Sequence, residues 1–162
     1  MAVANSRQTP CDDRAVKLTV AWIGKTKEPA IESLTAEYLK RLSRYGDVQG
    51  LAFKDEAALL EFRGKTGRGQ KKYALILLDS RGKQFSSEEL AKFLDEQQQN
   101  ALPLLFAVGG ANGFSEAARQ SAASVLSLGK MTLAHELARV VLLEQLYRAC
   151  TILKGHPYHL GH

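Results

Sequence analysis

The chain has 162 residues, 45% of them apolar and 24% charged, the balance of an ordinary globular protein long enough to bury a real core. Lysine and arginine outnumber aspartate and glutamate by 22 to 17, and this surplus favours a polyanionic partner such as RNA without establishing one. Cys11 and Cys150 have the spacing of neither a metal site nor a redox pair, no window is apolar and long enough to span a membrane, and the opening MAVANSRQTPCDDRA lacks the apolar centre of a signal peptide. A reduced, cytoplasmic location is expected, with residues 1–15 as a disordered extension ahead of one domain over 16–162.

Strands and helices then alternate. VKLTVAWI (16–23) predicts a strand with Val16, Leu18, Val20 and Trp22 on one face. A helix over 29–44 has Pro29 in its first turn and Ile31, Leu34, Tyr38 and Leu42 at helical spacing. VQGLAF (48–53) predicts a second strand and DEAALLEF (55–62) a short helix. RGKTGRGQKK (63–72) carries five cations and reads either as a solvated connection or as a flexible arm that meets phosphates. KYALILLD (72–79) is a strand buried on both faces, and SSEELAKFLDEQQQ (86–99) a helix opened by a Ser86–Glu89 capping box. LPLLFAV (102–108) is the fourth strand, followed by a helix over 115–123, a fifth strand SVLSL (124–128) and a long helix over 134–154. This order predicts an α/β fold: a mostly parallel sheet with helices on both faces and a ligand site beyond the carboxyl ends of its strands.

The glycines of VGGANGF follow the fourth strand, with Ala111 where a dinucleotide fingerprint needs its second glycine. In that fingerprint the glycine loop follows the first strand, but here the corresponding junction reads GKTKEP. An ordinary dinucleotide fold is therefore not expected. The two GKT triplets, at 24–26 and 64–66, lack the earlier glycine of a Walker A loop.

The final helix is apolar almost all round, so its second face needs a second surface. That predicts a symmetric homodimer with Leu143 or Leu146 at the contact, the alternative being a central helix inside one protomer. Glu144 and Arg148 are spaced as an ion pair on this helix. The tail KGHPYHLGH reads as a metal tract, a tag remnant or part of a site. Its histidines share no helix face and have no acidic neighbour in sequence, so no metal is expected; Gly155 stops the helix and Pro157 shapes the turn after it.

Taken in order, VGGANGF, LSLGKMTLAHELARVVLLEQLYRA and HPYH resemble the bacterial 23S rRNA pseudouridine methyltransferase family of SPOUT enzymes, from Val16 to the end and most strongly over 106–159. The resemblance implies an α/β domain with a C-terminal trefoil knot, a homodimer, and S-adenosylmethionine as cofactor. It also implies methylation at N3 of a pseudouridine in large-subunit rRNA on the assembled ribosome. Cofactor contacts are implied at Leu78, at Gly109 and Gly110, and along Leu128, Gly129, Lys130, Met131, Thr132 and Leu133. The candidate catalytic residues are Tyr158, to stack on or hydrogen-bond the base, and His159 or His135, either of which, or a water, takes the imide proton. Arg139, Arg148 and His156 are candidates for RNA contact, the two arginines alternatively for the cofactor carboxylate. Asn112 stands where the family usually has an acid, and Leu160 where it often has a cation. The alternatives are a SPOUT methyltransferase acting on another RNA, and a non-catalytic ribosome- or RNA-binding protein of the same fold.

Overall fold

A computed structural model describes residues 16–64, 72–100 and 102–160; the extension expected over 1–15, most of the cationic segment after α2 and the last two residues of the tail lie outside the described residues. The elements are β1 (Val16–Ile23), α1 (Pro29–Leu42), β2 (Gly46–Phe53), α2 (Glu56–Gly64), β3 (Ala74–Gln84), α3 (Ser87–Gln99), β4 (Leu104–Val108), α4 (Glu116–Ser121), β5 (Ser124–Ser127) and α5 (His135–Leu153). All paired strands run parallel, in the order β2-β1-β4-β3-β5.

The period of two along the strands sorts side chains between two cores. Val20, Ile76, Leu104 and Phe106 point to the face covered by α1, α3 and α5, where they meet Leu42, Leu94, Leu142, Leu143 and Leu146. Ala21, Leu75, Leu77, Leu105 and Ala107 point the other way, onto Leu59, Phe114 and Ala118 of the α2–α4 side. Central β4, Leu-Leu-Phe-Ala-Val, is buried at every position, which is why it reads as an unbroken apolar run.

The helix ends follow local chemistry. Pro29 opens α1, and both halves of the Ser86–Glu89 capping box are formed at α3. The Ser115 hydroxyl accepts the Ala118 N–H at 3.1 Å to cap α4. After α5, Gly155 takes φ +69°, and the His156 N–H returns to the Thr151 carbonyl at 2.9 Å.

Two expectations are corrected. The third strand does not end at Asp79. Leu78 and Lys83 both pair with Leu126, so the four residues between them bulge out and the strand resumes to Gln84. Gly82 permits this, because a Cβ there would stand 2.7 Å from the Val125 carbonyl. Leu143 and Leu146, expected at a partner contact, are fully buried within the protomer, because α5 lies between α1 and α3 against the sheet. Other large apolar residues of α5 are uncovered: Leu137 is 52% exposed, and Val141 and Leu153 are each 37%.

Gly82→Ala is expected to lower stability by about 1–3 kcal/mol, since β5 must move to admit the methyl group. Urea unfolding checks this; an unchanged midpoint would mean that β5 yields freely.

Candidate active site

Three segments meet at the bulge of β3 and beyond the carboxyl ends of β4 and β5 and line a cavity of about 520 Å³. The first runs from Val108 through the glycine loop. The Gly113 N–H donates to the Gly110 carbonyl at 3.0 Å, and φ +68° at Gly113 closes the turn. A Cβ at Gly109 would press on Gly113 Cα at 3.1 Å, whereas one at Gly110 would meet nothing closer than Ile23 at 3.7 Å. Gly110 therefore lines the cavity with bare backbone that the fold itself does not require.

The second segment, Leu128 to His135, links β5 to α5. The Ser127 hydroxyl accepts the Gly129 N–H at 3.1 Å and donates to the Gly129 carbonyl at 2.8 Å, holding the loop where Gly129 has φ +141°. Among the described residues, the N–H groups of Met131, Thr132 and Leu133 donate to no other group of the chain, which leaves main-chain donors beside apolar side chains. The third segment is the β3 bulge: Leu78, Asp79, Ser80 and Arg81.

Among the described residues of the lining, the bulge supplies the one carboxylate, Asp79. Asp79 accepts from Arg81 through its main-chain N–H at 2.9 Å and its guanidinium at 3.2 and 3.3 Å, and from Arg119 Nη1 at 3.2 Å. Arg119 is anchored in turn by Glu116 and by the Phe114 carbonyl. Hydrogen bonding from the Arg81 side chain holds the Asp79 carboxyl below the usual carboxylate range.

Of the residues singled out in the sequence, Leu78, Gly109, Gly110, Leu128, Gly129, Met131, Thr132, Leu133 and His135 line this cavity. Lys130 is exposed beside it, outside the lining. Arg139 is only 2% exposed, with its guanidinium 4.1 Å over the Trp22 ring, and presents no charge to solvent. Tyr158, His159, His156 and Arg148 lie elsewhere. The tail folds back along α5, where Tyr158 packs edge-on against Tyr147 and donates to Glu144 Oε1 at 3.1 Å. Glu144 also pairs with Arg148 at 2.7 Å, as the spacing suggested. Arg148 Nη1 meets His159 Nδ1 at 3.1 Å, and His159 Nε2 meets Glu88 at 2.8 Å. Arginine can only donate, so Nδ1 is the accepting nitrogen and Nε2 carries the proton toward the carboxylate. Burial and the Glu144 bond push the Tyr158 phenol up to about 12, so it is a neutral donor at physiological pH. From His135 to Glu144 and Arg148 is about 13–20 Å along the helix axis, so the tail lies apart from its own protomer's cavity.

Asp79, Ser80 and Arg81 were missed. Their signal was a polar run, DSRG, directly after an apolar strand, at the strand end where α/β proteins hold ligands.

Comparison with known proteins agrees with this geometry. The family model described as "Predicted SPOUT methyltransferase" matches residues 16–159. The chain belongs to the SPOUT methyltransferase family. A protein of Koribacter versatilis named "Ribosomal RNA large subunit methyltransferase H" is 57% identical over 148 residues, 91% of this chain and 100% of its own length. One of the same name from Geotalea daltonii is 41% identical over 152 residues, 89% and 99% of the two chains. Among solved structures, a probable methylase family protein of Haemophilus influenzae superposes with TM-score 0.58 at 11% identity, over 88% of this chain and 70% of that one. The SpoU methyltransferase AviRb of Streptomyces viridochromogenes, solved with the cofactor AdoMet, gives 0.54 at 14% identity, over 89% and 62%. These two likenesses speak for the fold. As a SPOUT methyltransferase the chain is an enzyme of methyl transfer.

Because folding lowers the Asp79 pKa, its stabilisation is full above the ordinary value of 3.8 and is lost as pH falls below it. Asp79→Asn is expected to cost about 1–3 kcal/mol at neutral pH. The gap to wild type should narrow on acidification below about pH 4. Unfolding curves across pH measure this, and a pH-independent gap would count against the ion-pair account.

Proposed function

We propose that this SPOUT methyltransferase transfers the methyl group of S-adenosylmethionine to N3 of a pseudouridine in 23S rRNA on the assembled ribosome, acting as a cytoplasmic homodimer whose C-terminal segment forms the family's trefoil knot. The observation that carries the reading is the cavity at the β3 bulge and the ends of β4 and β5, lined by segments that suit this cofactor in a chain whose relatives are named for large-subunit rRNA. Leu78, Met131 and Leu133 supply apolar cover for an adenine, and main-chain groups of 128–133 supply edge contacts. Gly109 and Gly110 let a bent ligand approach the backbone.

The bound cofactor supplies an electrophilic methyl group on a sulfonium, so little covalent chemistry falls to the protein. Its residues hold the target nitrogen in line and keep water out, and alignment of this kind contributes about 7–11 kcal/mol in favourable cases. His135, on the cavity wall, is placed to accept the N3 proton directly or through a water. Tyr158 and His159 act on the nucleotide from across the dimer, in the cavity of the other protomer. The support for that arrangement is the distance of the tail from its own cavity and the uncovered Leu137 and Val141 between them on α5. Arg148 and His156 stand beside this tail, where an RNA strand passing over the dimer can meet them.

Incubation with S-adenosylmethionine and ribosomes that lack the modification, followed by mass spectrometry of the rRNA, tests the function directly. A methyl group on N3 of a pseudouridine is expected; a methyl group on another nucleotide, or none, would overturn the substrate.

Gly110→Val is expected to stay folded and to lose more than about tenfold in S-adenosylmethionine affinity, about 1.4 kcal/mol, by calorimetry. Wild-type affinity would remove the glycine loop from the cofactor site. Leu137→Lys is expected to give folded monomers in sedimentation and to lose methylation, because the tail then has no second cavity to serve. A fully active monomer would refute the shared site.

A further inference from the structure

GKTKEP, between β1 and α1, lies outside the lining of the cofactor cavity, yet it is bonded to the first turns of α5, which carry the lining residues His135 and Ala138. Glu136 Oε1 accepts the main-chain N–H of Lys27 at 2.6 Å. Arg139 Nη1 donates to Thr26 Oγ1 at 2.8 Å and approaches Thr35 Oγ1 at 3.5 Å, while its buried Nε has no partner among the described residues. At the start of the loop the Gly24 N–H donates to the Phe53 carbonyl at 2.8 Å, with φ +94° at Gly24. The loop is therefore fastened at Gly24, Thr26 and Lys27. Its neighbours are the cavity walls: Glu136 follows His135, and Trp22, under the Arg139 guanidinium, pairs in the sheet with Val108.

This fastening leaves two side chains free. Lys25 and Lys27 are exposed, and neither forms an ion pair among the described residues. Behind them lies a buried guanidinium with no carboxylate in hydrogen-bonding contact; Glu136 and Glu32 are the acidic groups whose charges it feels. Two mobile ammonium groups on a fixed main chain suit an irregular phosphate backbone, and the loop needs little further ordering when it binds.

We propose that the β1–α1 loop is an RNA-backbone dock beside the cofactor cavity. Lys25 and Lys27 take phosphates of the strand carrying the target nucleotide, and Glu136 and Arg139 are positioning residues that aim the loop. The proposal rests on the reading of the substrate as rRNA, and its test separates the two.

Ribosome binding and methylation are measured side by side over a range of salt. Lys25→Ala with Lys27→Ala should weaken binding and raise KM about tenfold, and should make the slope of log affinity against log salt shallower by about 1.4–1.8, for two phosphate contacts. Affinity for S-adenosylmethionine, measured by calorimetry, should match wild type and shows that the variant is folded. Glu136→Ala distinguishes aim from charge. Deleting an acid beside two lysines tightens RNA binding if net charge alone matters, and weakens it if the anchor at Lys27 aims the loop. Weakening is expected. An unchanged salt slope in the double variant, or tighter binding by Glu136→Ala, overturns the dock. If wild type binds ribosomes without methylating them while the double variant loses the slope, the dock stands and the substrate assignment falls.

Discussion

The site depends on where α5 lies. Its buried residues, Leu142, Leu143, Leu146, Ala149 and Cys150, join the core between α1 and α3, so the helix cannot slide without opening apolar surface on both sides. That seating fixes the first turn, and with it His135 and Ala138 on the cavity wall. It also fixes Glu136 and Arg139, which hold the β1–α1 loop. Seating by apolar contact is non-directional but steep, because a close-packed interior tolerates little displacement.

Polar contacts then divide the labour along the helix. At the cavity, the carboxylate of Asp79 is held by two guanidiniums, so that wall carries no unbalanced acid that would repel a polyanion. Beside the cavity wall on α5, Arg139 sits over Trp22, held by hydroxyl groups rather than by an acid. At the far end, Glu144 is saturated by Arg148, Tyr158 and Gln145, and this network pins the tail.

The tail is pinned along α5, on the side of Glu144 and Tyr147. Tyr158 and His159 are rigidly held, by ring packing on Tyr147 and by the bonds to Arg148 and Glu88, yet they are held away from their own cavity. A tail ordered before substrate arrives loses less entropy on binding. Leu137 and Val141 lie exposed on α5 between the cavity and the tail.

The alternation of strand and helix was legible because periods of 2 and 3.6 are local properties of a chain, and the apolar first half of β3 was read as buried on both faces from the same local pattern. The glycine loop after β4 and the LGKMTL loop after β5 were legible as motifs, and tertiary structure set them on either side of one cavity. Other features carried no local signal. Asp79 to Arg81 joined the cavity because Gly82 lets β3 resume against β5, a contact between residues more than forty positions apart. Leu143 and Leu146 turned inward rather than toward a partner, since an all-round apolar helix does not say which face its neighbours cover. Arg139, a candidate for RNA or cofactor contact, was instead buried over Trp22 and bonded to Thr26 from across the chain. The sequence by itself determined which segments would be strands, helices and backbone-lined loops. Strand order, the β3 bulge and the seating of α5 were decided only by the tertiary structure, because they depend on shape complementarity between distant surfaces, which no repeat in the chain encodes.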